Sequence, residues 1–139
     1  MLVHKAKALA QQWVNEEAWK LPDFQGAFFH GSINWLADDA TFSPTSDLDI
    51  MVLFPEAPAV KLGKFLYEGV LLEVSYLSWA DLPSAETVLR TAHLAGSFQG
   101  NTIIADPTGR LATCGCASDA LRGFGLAPLL LALVRRRRC

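Results

Sequence analysis

Residues 46–54 read SDLDIMVLF, and this stretch decides the fold. Asp47 and Asp49 stand one residue apart at the mouth of an apolar run, Ile50 to Phe54. In a strand, side chains at i and i+2 leave the same face, so the two carboxylates point together. At about 5 Å and an effective dielectric near 20, their repulsion costs roughly 3 kcal/mol. Either water solvates the pair or something positive sits between its members. The run that follows is apolar on both faces, which predicts a central strand of a sheet.

Working outward, residues 2–20 place Val3, Ala6, Leu9, Ala10, Trp13 and Val14 at helical spacing, and Pro22 and Asp23 end that helix. The stretch 24–31, FQGAFFHG, reads as a short strand, and Ser32 is placed to cap a short helix, INWLAD. Asp38 to Ser46 is a polar loop. Beyond Pro55 and Pro58, residues 64–78 read as a hairpin with Glu68-Gly69 at its turn. Ser84 caps a helix through about Leu94, and residues 101–109 make a short strand and a turn. The expected architecture is a small mixed sheet with helices packed on it, α/β or α+β. It forms one domain over residues 1–111, with its core at about 24–78 and a tail at 112–139.

The chain has 139 residues, 51% hydrophobic and 19% charged, with a formal net charge of −2. That balance argues against a general nucleic-acid binder, which would be basic. The first 25 residues carry His4, Lys5, Lys7, Gln11, Gln12, Glu16 and Glu17, unlike a signal peptide, so a cytoplasmic protein is expected. Cys114, Cys116 and Cys139 do not make a disulfide framework, and read as incidental thiols. The tail's apolar run is too short to span a bilayer, and the four arginines after it read as a solvated end.

Three features converge on one chemistry. Gly31-Ser32 ends a strand, where a glycine lets phosphate approach the backbone and the serine hydroxyl can donate to it. Asp47 and Asp49 open the next strand. Glu73 interrupts the apolar run GVLLEVSYL; it either faces solvent from an edge strand or needs a partner or a metal. Three carboxylates beside a phosphate-cradling turn suit two Mg²⁺ ions, which would sit about 3.5–4 Å apart and assist an in-line phosphoryl displacement. Cations would then cancel the repulsion within the aspartate pair. His30 reads as a packed, hydrogen-bonded residue, Asp38 and Asp39 as solvated loop acids, and Lys61 and Lys64 as surface charges. Trp13, Trp19, Trp35 and Trp79 read as core or cleft aromatics.

The order G-S, loop, S-D-L-D-I resembles the signature of the DNA polymerase beta-like nucleotidyltransferase superfamily, over about residues 24–111. Residues 103–111, IIADPTGRL, resemble a segment that follows the catalytic core in small bacterial members related to antibiotic-modifying enzymes. The resemblance implies that Gly31 and Ser32 hold the β- and γ-phosphates of ATP, with Ser46 counted among the nucleotide-binding residues. Asp47, Asp49 and Glu73 would ligate two Mg²⁺ ions, with glutamate at the third place where aspartate is commoner. The implied reaction moves AMP from ATP to a hydroxyl of a small-molecule or protein acceptor. The alternative is a degenerate member that serves as an antitoxin and binds a toxin partner. A second subunit could close the cleft as a homodimer; neither membrane association nor nucleic-acid binding is expected. The tail departs from the family's usual helical continuation.

Overall fold

The computed structural model describes residues 1–82, 97 and 102–112. The expected helix at 84–94, the three cysteines and the tail from 113 onward lie outside the described residues. Helix α1 spans Val3–Glu16; strands follow at β1, Gly26–His30; β2, Asp47–Phe54; β3, Gly63–Tyr67; β4, Val70–Ser78; and β5, Ile103–Ala105. They form one mixed sheet in the order β3-β4-β2-β1-β5. β2 is central, as its apolar run requires. It pairs antiparallel with β1 and parallel with β4.

The two faces of β2 divide the core. Leu48, Ile50, Val52 and Phe54 point to one side and pack with Val3, Ala6, Ala10, Trp13 and Val14 of α1. Each of the larger of these side chains, such as Leu48 or Ile50, contributes about 1.5–3 kcal/mol on removal from water. On the other side, Met51 and Leu53 join a smaller cluster with Phe28, Trp79, Leu82 and Leu111. That second face is apolar only along the C-terminal half of β2. Its N-terminal half carries Asp47 and Asp49.

Local chemistry explains the remaining turns. The Glu68-Gly69 hairpin has positive φ at both residues, 48° and 81°, the left-handed pair that a two-residue turn between twisted strands demands. α1 stops at Glu16, earlier than the periodicity suggests, and a 3-10 turn at Ala18–Lys20 completes the approach to Pro22. Ser32 does not cap a helix. Gly31, with φ 71°, turns the chain directly out of β1, so a 3-10 turn begins at Gly31 and encloses Ser32. Of the four tryptophans, Trp13 and Trp79 are buried, whereas Trp19 and Trp35 are 51% and 64% exposed and belong to the surface. Among the described residues, no helix is long and apolar enough to cross a membrane.

Candidate functional site

Register assembles the site. Across β1 and β2, His30 stands opposite Asp49; across β2 and β4, Asp49 stands opposite Glu73; across β4 and β3, Glu73 stands opposite Lys64. Directly opposed residues share a face. A straight row of His30, Asp49, Glu73 and Lys64 therefore crosses four strands, with Asp47 beside it one pleat along β2. The parallel pairing of β2 with β4 is what brings a carboxylate from a hairpin strand alongside the aspartate pair.

Asp47, Asp49 and Glu73 each offer a carboxylate oxygen, and these oxygens lie within 4.8 Å of one another. All three residues are half-buried. Their electrostatics differ. Burial, reinforced by the charges of Asp47 and Glu73, pushes the Asp49 carboxyl up to about 6. Asp47 is held below the usual carboxylate range, chiefly by its hydrogen bond from Lys64. The Lys64 ammonium donates to Asp47 and lies 3.2 Å from Glu73 Oε2, while Lys61 lies 4.0 Å from the other Glu73 oxygen. The same two bonds to Asp47 and Glu73 push Lys64 above its ordinary range.

Lys64 is thus the residue the sequence reading undervalued. It is a member of the cluster, not a detached surface charge. The missed signal lies in hairpin arithmetic: with the turn at Glu68-Gly69, residues summing to 137 face each other, and Lys64 falls opposite Glu73. Glu73 is likewise not on an edge strand, because β3 lies outside β4.

Gly31 packs against Asp49. A Cβ at Gly31 would collide with Asp49 Oδ2, so the strand end and the carboxylate approach closely because the residue is glycine. Ser32 is exposed, and Ser46 is half-buried with its amide bonded to Ser43 at 3.1 Å. His30 bonds through Nδ1 to the hydroxyl of buried Ser97, the packed role expected of it. Asp38 is an exposed loop acid paired with Lys7, away from the cluster.

The donor set fits a divalent cation. Oxygen ligands suit Mg²⁺, and a positive ion would relieve the burden on Asp49 that now raises its proton affinity. A separate concavity of about 370 Å³ opens on the sheet's other face between Trp13, Glu17, Leu21, Leu62, Phe65 and Tyr76. It is lined mainly by apolar groups and shares no residue with the cluster. No protein-family model matches the chain, and no curated protein matches it.

Proposed function

We propose that this protein is a Mg²⁺-dependent nucleotidyltransferase that transfers a nucleoside monophosphate, AMP from ATP, to a hydroxyl of a small-molecule or protein acceptor. The observation that carries the reading is the convergence of Asp47, Asp49 and Glu73, from two parallel neighbouring strands, beside a positive-φ glycine at the end of a third. Asp47, Asp49 and Glu73 would hold the metal ions. Bound there, Mg²⁺ supplies charge neutralisation for the phosphoryl oxygens. Gly31 brings the end of β1 close against Asp49, and Ser32, exposed on the same turn, is available to donate its hydroxyl to a phosphate. Lys64, with three donors, can turn from Asp47 and Glu73 to a phosphate oxygen.

A second reading has one observation in its favour. Lys64 already supplies a cation between Asp47 and Glu73, as a degenerate member that binds a protein partner without metal would require. Calorimetric titration of ATP, with and without Mg²⁺, into the wild type and Asp47→Asn/Asp49→Asn separates the two. Magnesium-dependent binding that the double variant loses supports transfer. No binding by either protein overturns it in favour of the partner-binding reading.

A further inference from the structure

The concavity on the α1 side of the sheet supports an inference independent of nucleotidyl transfer. Its lining is mainly apolar, and ring contacts hold it in place. The Trp13 ring, nearly buried, lies 5.4 Å from that of Phe65, and the Tyr76 ring is set edge-on against Phe54 at 5.0 Å. Leu21 and Leu62 complete the apolar part. At about 370 Å³ the space falls within the range of small-molecule sites, about 300–1,000 Å³. Two polar side chains enter the lining, Glu17 and Tyr76. Burial alone pushes the Tyr76 phenol above its ordinary range, and among the described residues its hydroxyl has no hydrogen-bond partner.

The charge beside this space is one-sided. α1 ends at Glu16, and its last turn holds no basic residue. A helix C-terminus carries partial negative charge, so cations are stabilised there and carboxylates are not. Glu16 and Glu17 nevertheless stand there together. Tyr67 lies on the same face of β3 as Phe65 and donates to Glu16 at 2.9 Å. Partial desolvation, that hydrogen bond and the charges of Glu16, Glu68 and Glu17 push Tyr67 above its ordinary range, so all three carboxylates act at this edge. Lys20, 3.1 Å from Glu17, offsets one of them.

We propose that the concavity binds a small organic ammonium ion, its apolar body seated among Trp13, Leu21, Leu62 and Phe65 and its charge at Glu17. Tyr76 supplies a hydroxyl oxygen that can accept from the ammonium within the same lining. The aromatic faces attract a cation in a way that a neutral ligand of the same shape would not share. An anion would meet three carboxylates and the negative end of α1. A divalent metal would find one carboxylate in an apolar lining, too few oxygens to replace its water.

Calorimetry on the full chain tests this with three ligands that share one body and differ in charge: 2-phenylethylammonium, 2-phenylethanol and phenylacetate. The ammonium should bind about fivefold or more tighter than the alcohol, and phenylacetate more weakly than either. Glu17→Gln should bring the ammonium down to the affinity of the alcohol while leaving the alcohol unchanged. Leu62→Lys, at a position 49% exposed, sets an ammonium on the rim and should remove binding of the ligand ammonium. Asp47→Asn/Asp49→Asn should leave that binding intact, because the acidic cluster shares no residue with the concavity. Circular dichroism on each variant verifies folding. A wild type that binds no ammonium, or binds all three ligands equally, overturns the proposal. So does ammonium binding that persists unchanged in folded Glu17→Gln or Leu62→Lys, or that disappears in Asp47→Asn/Asp49→Asn.

Discussion

Lys64 stands directly opposite Glu73 across the β3–β4 hairpin, its ammonium 3.2 Å from Oε2, and the same ammonium donates to Asp47. A cation shared by Asp47 and Glu73 is therefore built into the chain. Any metal that enters the cluster competes with it.

Removing that competitor should strengthen metal binding. Lys64→Met is expected to raise Mn²⁺ affinity a few-fold, read by calorimetry or by the loss of the free-ion electron paramagnetic resonance signal. The gain is modest because Lys64 is half-exposed, and exposed pairs are screened. Weaker binding in the variant would show that Lys64 organises the carboxylates instead of occupying their place.

Asp49→Asn should stabilise the metal-free protein at neutral pH, and should abolish the proposed nucleotidyl transfer. The folded-state pKa of Asp49 is raised to about 6 from 3.8. Between those values the folded state keeps a proton that the unfolded state has released, so stability falls as pH rises through that window. Above it the charge is a standing cost, about 1 kcal/mol once solvent screening is allowed for. Thermal denaturation should therefore favour the variant at pH 7 and show no difference below pH 3.5. A variant less stable at pH 7 would contradict the placement of Asp49.

Metal binding should depend on the same proton. Below about pH 6 an incoming ion must displace it from Asp49, so Mn²⁺ affinity should rise with pH up to that point and then level off. Calorimetry in buffers of differing ionisation enthalpy should detect up to one proton released per ion at pH 5 and almost none at pH 7.5. In Asp49→Asn the proton release should vanish.

Two glycines with similar backbones should respond differently to alanine. Gly69, φ 81°, has open space around its missing Cβ, so Gly69→Ala loses only the left-handed preference, about 1 kcal/mol. Gly31, φ 71°, would press a Cβ onto the Asp49 carboxylate, so Gly31→Ala should cost about 2 kcal/mol or more in urea denaturation. Adding Asp49→Ala should recover the excess over Gly69→Ala. Additive costs would mean that the close contact carries no strain.

Much of the fold was legible in the chain. The apolar run Ile50 to Phe54 read as a central strand because burial on both faces leaves no polar positions, and β2 is central. Glu68-Gly69 marked the hairpin because it lies between two β-prone runs; the positive φ that Glu68 adopts there is one a glutamate seldom takes and was not legible. The helical spacing of Val3 to Val14 appears as the buried side of α1. Boundaries were less legible: the early stop of α1 and the turn starting at Gly31 depend on neighbours that periodicity does not contain. The exposed Trp19 and Trp35 show the same limit, since hydrophobic size alone does not say which face an element presents.

For the candidate site, the sequence by itself determined that Asp47 and Asp49 share a face, since a strand's two-residue period is a local property. That Glu73 lies beside them was decided by the parallel register of β2 with β4, and that Lys64 pairs with Asp47 and Glu73 by the pairing of β3 beyond it. The raised proton affinity of Asp49 likewise arises from burial beneath Gly31 and from charges brought by neighbouring strands. Covalent spacing orients a side chain over a few residues. Which charges surround it is set only when strands distant in sequence come within 5 Å or so of each other in the sheet.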